Sequence, residues 1–138
     1  MIVSNGKILI VDDQVARSEA LADFLADKGF QVQEVVDVSS YAHSLGEDSE
    51  LDVILCELDL KDFSWFDARH SLRAMDVQVP LIMFCDVAEV DKIMTALKLG
   101  ARDFFLRPVE DKAPLVKSIE RCVRQRNMRR DLQESRER

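Results

Sequence analysis

The chain has 138 residues, 47% of them hydrophobic and 33% charged, with a formal net charge of −7, which indicates one compact domain and excludes a disordered or fibrous protein. Its longest unbroken apolar stretches, Ile8–Val11, Val53–Cys56 and Leu81–Cys85, fall far short of the roughly 20 residues a membrane span needs, and no basic-then-apolar signal pattern opens the chain. Three cysteines without CxxC spacing and two distant histidines, His43 and His70, point to reduced thiols in the cytoplasm and away from a zinc site.

Along the chain, apolar runs alternate with helix-period segments. Lys7–Val11 is a short continuous apolar run, the mark of a strand buried on both faces. The stretch from Ala16 to Lys28 places Ala20, Leu21, Phe24 and Leu25 at helical spacing and is stopped by Gly29. Gln31–Val36 alternates polar and β-branched residues, as a less buried strand does. A short helix is expected around Tyr41–Leu45. Asp52–Glu57 is another buried strand with a carboxylate at each end, and Phe66–Met75 reads as a helix. Pro80–Cys85 reads as a strand whose proline can only stand first. Val90, Ile93, Met94, Leu97 and Leu99 pattern a further helix ended by Gly100. Asp103–Leu106 is the last strand, broken by Arg107-Pro108. Pro114 then suits the first turn of a final helix, with Leu115, Val116, Ile119, Cys122 and Val123 on its inner face.

Five β-then-α units imply right-handed crossovers, a parallel sheet and helices on both faces. Helical pattern continues past Val123 to Arg138 with only Met128 and Leu132 apolar. We therefore expect a domain over residues 1–123 and a helical extension over 124–138, serving as a linker to an output domain or as a dimer helix; a frayed polar tail is the bland alternative. From Lys117 onward eight Lys/Arg face four Asp/Glu, so the acidic body carries a basic helix. That balance argues against direct nucleic-acid binding by the domain.

In an open α/β sheet, ligands bind outside the carboxyl ends of the strands. Asp12 and Asp13 follow the first strand, Glu57 ends the third with Asp59 two residues on, Cys85 ends the fourth, and Arg107 follows the fifth. Like charges about 4 Å apart repel by about 4 kcal/mol at an effective dielectric near 20, so such acids need a cation. Mg²⁺ is the natural candidate, a hard ion satisfied by carboxylates, a carbonyl and water. The bland alternative is that Asp12 and Asp13 merely cap the following helix.

The segments Lys7-Ile-Leu-Ile-Val-Asp-Asp-Gln14, Leu51-Asp-Val-Ile-Leu-Cys-Glu57, Pro80-Leu-Ile-Met-Phe-Cys85 and Gly100-Ala-Arg-Asp-Phe-Phe-Leu-Arg-Pro108 together resemble the receiver domain of bacterial two-component response regulators, over nearly everything from Lys7 to about Val123. The resemblance implies a flavodoxin-like (βα)5 fold with strand order 2-1-3-4-5. Its usual activity is acceptance of a phosphoryl group from a histidine kinase onto an aspartate, with Mg²⁺ bound; this is phosphorelay signalling rather than enzymatic turnover. Asp12 and Asp13 match the family's metal-binding acids, and the backbone carbonyl of Asp59 matches the position that faces the metal.

Elsewhere the chain departs from the family pattern. The phosphoacceptor position holds Glu57, not aspartate. Lys61 stands where a proline is usual, Trp65 where a glycine commonly opens a loop, and Cys85 where a hydroxyl residue ends the fourth strand. The lysine before proline is Arg107, and the aromatic switch position is Phe104. Glu57 extends its carboxylate by about 1.5 Å, and Arg107 offers a fork that a lysine cannot. These two changes look matched. We expect a fixed Glu57–Arg107 contact in place of a phosphorylation-dependent one, with Cys85 contributing packing.

The resulting expectation is a pseudo-receiver: a phosphorylation-independent interaction module that meets a histidine kinase, an output or effector domain, or a second copy. Its contacts would run through the last helix or through the face of Val87–Leu99, Phe104 and the final helix. One alternative is a working Mg²⁺-dependent phosphoacceptor using Glu57 or Asp59. The other is a flavodoxin-like small-ligand binder or enzyme, disfavoured because no glycine-rich phosphate loop, Walker motif or nucleophile elbow appears. His70 reads as a surface residue and Cys56 as a small core hydrophobe.

Overall fold

The computed structural model describes residues 5–37, 50–60, 79–86, 90–98 and 100–137. The helices expected near 41–45 and 66–75, together with His43, Lys61, Trp65 and His70, lie outside them. Strand β1 (Lys7–Val11), helix α1 (Val15–Asp27), strands β2 (Gln31–Val35), β3 (Val53–Glu57) and β4 (Leu81–Cys85), helix α2 (Val90–Lys98), strand β5 (Asp103–Leu106) and helix α3 (Ala113–Glu137) follow in chain order.

The five strands form one sheet in the order β2-β1-β3-β4-β5, every neighbouring pair parallel. This is the expected doubly wound order. The central strands β1, β3 and β4 are the continuous apolar runs, buried along nearly their whole length. Edge strand β2, with its alternating polar residues, is half-exposed.

Side-chain alternation divides the core into two layers. Ile8, Ile10, Val53, Leu55, Ile82 and Phe84 face α1 and α3, packing on Ala22, Leu25, Leu115, Ile119, Cys122 and Val123. The intervening residues face the other way: Met83 and Cys85 pack with Leu58 and with Ala96 of α2. Polar ties set the helices on the sheet. Buried Ser18 of α1 donates to Glu34 of β2 at 2.7 Å, and buried Ser118 of α3 donates to Asp103 of β5 at 2.8 Å. Helix α1 is followed, past its C-cap Lys28, by Gly29, whose φ of +93° is left-handed. The side chain of Asn5 lies over it, so a Cβ there would stand 2.6 Å from Asn5 Nδ2.

Helix α3 runs unbroken through Val123 to Glu137. Beyond the core, Arg130 reaches back to Asp52 at the amino end of β3, with Nη1 3.0 Å from Oδ1. The other Asp52 oxygen accepts the Lys7 N–H at 2.8 Å. Asp52 is thus a buried carboxylate satisfied from both sides.

Candidate functional site

Register carries three charged side chains to the same end and the same face of the sheet. Val11 pairs with Cys56, so Asp12 and Glu57 are level on adjacent strands. Phe84 pairs with Phe105, and Arg107, two residues on from Phe105, shares its side. Backbone hydrogen bonds extend the ladders past the strand ends: Asp12 N–H to Val35 C=O at 3.1 Å, Leu58 N–H to Phe84 C=O at 2.9 Å, and Arg107 N–H to Cys85 C=O at 2.9 Å. These fix the backbones from which the charged groups project.

Arg107 spans β4 to meet Glu57. Its guanidinium carbon lies 5.4 Å from the centre of the Phe84 ring, itself stacked on Phe105, a flat support for a planar cation. Nη1 pairs with Glu57 Oε2, Nη2 stands 3.7 Å from Asp12 Oδ2, and exposed Asp86 approaches Nη1 at 3.4 Å. The Glu57 and Asp12 side chains are only 2% and 6% exposed, so both carboxylates are removed from water.

A second guanidinium, absent from the sequence expectations, completes the cluster. Arg17, in the first turn of α1, places Nε 2.7 Å from Asp12 Oδ2 and Nη2 2.7 Å from Asp12 Oδ1. The same Nη2 is 3.3 Å from Glu57 Oε2. Asp12 Oδ1 also accepts the Gln14 N–H at 2.9 Å, and Glu57 Oε1 accepts the Asp59 N–H at 3.1 Å. All four oxygens of the two buried acids are engaged. Glu57 Oε2 makes no well-aligned hydrogen bond and is compensated by charge alone.

Burial pushes the Glu57 carboxyl above its ordinary value, partly offset by Arg107, the Asp59 N–H and Arg17. The hydrogen bonds to Asp12 raise Arg17. Cys56, fully inside β3 with its sulfur 3.8 Å from the Glu57 carbonyl, is pushed well up by burial and then by Glu57 and Asp12. It is no accessible nucleophile.

The other site candidates lie apart from this cluster. Cys85 is fully buried with Met83, Leu58 and Ala96, on the α2 side, and half-buried Phe104 packs against the same group. Asp59 turns its carboxylate outward to Lys92 of α2, 3.0 Å from Nζ. Asp13 is half-buried in the β1–α1 loop. Asp12, Glu57 and Arg107 thus lie together with Arg17, while Cys85, Phe104 and the Asp59 carboxylate face elsewhere.

The Mg²⁺ implied by the family pattern does not fit this arrangement. Among the described residues, no group of three His, Cys, Asp or Glu is disposed to hold a metal ion. Two guanidiniums already balance the two buried carboxylates.

Comparison with known proteins supplies the family. The response regulator receiver domain matches residues 8–120. The chain is 26% identical over 118 residues to the cell cycle transcriptional regulator CtrA of Caulobacter vibrioides, and equally identical to the cell cycle response regulator CtrA of Brucella ovis. In both, the alignment covers 86% of this chain and 50% of the relative, so the chain spans about half the length of the curated relatives it matches. Among solved structures, full-length FixJ from B. japonicum aligns over 89% of this chain and 60% of that chain, with a TM-score of 0.79 and 25% identity. A two-component response regulator from Clostridium difficile shares the fold at a TM-score of 0.77 and 22% identity, over 88% of this chain and 98% of that chain. With its sheet order, its strand-end acids and this match over most of its length, the chain belongs to the response regulator receiver domain family of two-component signalling.

Proposed function

We propose that this receiver is a degenerate one, a phosphorylation-independent interaction module rather than a phosphoryl acceptor or an enzyme. The buried Glu57–Arg107 ion pair carries the reading. In-line phosphoryl transfer depends on positioning and charge neutralisation. Here the residue at the acceptor position is longer than aspartate, buried, and already neutralised by a guanidinium. A shift of over an ångström in the nucleophile costs orders of magnitude in rate. Asp59, the other candidate acceptor, is held by Lys92 outside the cluster.

The module works by contact, and its partner is a histidine kinase, an effector domain or a second copy. Val90, Met94 and Leu97 lie along one exposed stripe of α2, and Leu106 at the end of β5 is exposed too. That apolar surface supports the α2–β5–α3 face as the docking side. The extension of α3 past Val123, with exposed Met128 and Leu132, supports the linker or pairing role of residues 124–138. No described helix is long and apolar enough to cross a membrane, and we place the module in the cytoplasm, without direct nucleic-acid contact of its own.

The test is incubation with Mg²⁺ and a small phosphodonor, followed by intact mass. No phosphoryl adduct is expected. A stoichiometric, acid-stable or hydroxylamine-labile adduct overturns the reading, and mapping it to Glu57 or Asp59 identifies the acceptor.

A further inference from the structure

Arg17 occupies an unfavourable place for a cation. It sits in the first turn of α1, where the helix dipole repels positive charge and no acidic side chain of that turn offsets it. What holds it there lies outside the helix. Its fork takes both oxygens of Asp12, each at 2.7 Å, and Nη2 also approaches Glu57 Oε2 at 3.3 Å. One nitrogen therefore bridges carboxylates that belong to two neighbouring strands.

A divalent cation shared by the same two acids needs that very position. Mg²⁺ demands oxygen contacts of about 2.0–2.1 Å in near-octahedral geometry, which the bridging nitrogen leaves no room for. Arg107 does not impose the same block. It engages Glu57 from the β5 side and comes no nearer to Asp12 than 3.7 Å. With Arg17 gone, two buried carboxylates would share one guanidinium, an excess negative charge that favours cation entry.

We infer that Arg17 is the resident cation of this pocket and by itself decides whether it takes a metal: with Arg17 present the pocket refuses divalent ions, and without it Asp12 and Glu57 accept one, with water completing the shell. The inference rests on the pocket being internally neutralised, as proposed above, yet it does not depend on whether Glu57 can be phosphorylated.

The experiment titrates the full chain with Mn²⁺, read by loss of the free-ion electron paramagnetic resonance signal, with Mg²⁺ as competitor. Wild type is expected to show no saturable binding below about 1 mM. Arg17→Gln and Arg17→Met, the latter keeping the apolar stem, are expected to bind one ion at least about tenfold more tightly, with the gain removed by adding Asp12→Asn. Saturable submillimolar binding by wild type overturns the proposal whatever the variants do. So does a folded variant, checked by circular dichroism, that binds no better than wild type. A phosphoryl adduct on wild type without metal binding would sink the phosphorylation-independent reading and leave this inference standing; metal binding without an adduct would do the reverse.

Discussion

Arg107 and Glu57 face each other across β4, the guanidinium lying over the ring of Phe84 and its Nη1 paired with a carboxylate that is only 2% exposed. The pair joins β5 to β3, two strands apart in the sheet. Breaking a buried pair from one side leaves an uncompensated charge, which typically costs 3–5 kcal/mol. Because Arg17 also approaches Glu57, Arg107→Ala is expected to cost less, about 2–3 kcal/mol. Arg107→Lys keeps the charge but loses the planar support on Phe84, and about 1 kcal/mol is expected. Urea unfolding of the three proteins checks the order; equal stability of wild type and Arg107→Ala would show the pair to be energetically idle.

Glu57 gives the fold a pH dependence of definite sign. Its carboxyl is raised in the folded state, burial being the main cause, so the native protein holds that proton to higher pH than the unfolded chain does. The associated stabilisation is full below the ordinary glutamate value and is lost as pH rises through the raised folded value. Glu57→Gln removes the titration. The stability of wild type relative to Glu57→Gln should therefore decline as pH rises from the ordinary glutamate range through the raised folded value. Denaturant midpoints measured at a series of pH values upward from the ordinary glutamate range test it, and a difference that grows in favour of wild type as pH rises would reverse the assignment.

Arg130 fastens α3 to the opposite end of the sheet through Asp52. Arg130→Ala strips a buried carboxylate of its cation while the Lys7 N–H remains, so a loss of about 1–2 kcal/mol is expected. Amide exchange beyond Val123 should accelerate more than exchange in the Leu115–Cys122 core segment. Uniform acceleration along α3 would mean that the contact supports the whole domain and not the extension.

Met94 lies in the exposed stripe of α2 between Val90 and Leu97. Met94→Glu should leave unfolding free energy within about 0.5 kcal/mol, as surface changes usually do, while weakening partner binding or self-association at least about tenfold. Sedimentation of the chain alone and with a candidate partner reads both. Unchanged association would move the docking side away from α2.

The topology was legible because Lys7–Val11, Val53–Glu57 and Leu81–Cys85 are apolar without alternation, as only doubly covered strands are. The pairing of Glu57 with Arg107 was legible for a related reason. Both stand at strand ends, where register alone brings side chains together, and their lengths match. Arg17 was not. It lies on a helix, five residues past Asp12, and which way its long side chain reaches depends on how α1 docks through Ser18, Ala22 and Leu25. The available signal was a cation in a first helical turn that lacked acids. Arg130 and Asp52, 78 positions apart, carried no local signal at all. Cys85 and Phe104 were placed correctly along their strands, but the alternation of side chains sends them to the α2 face, away from the carboxylates.

The central claim is that two arginines already neutralise the acids at the carboxyl edge of the sheet. A crystal structure of the wild-type chain grown with Mg²⁺ and beryllofluoride tests it most directly. Arg17 should remain on Asp12 and Arg107 on Glu57, with no octahedral ion between the carboxylates and no beryllofluoride on Glu57. An ion coordinated by Asp12 with the Arg17 guanidinium swung away, or a beryllofluoride adduct on Glu57, would contradict it.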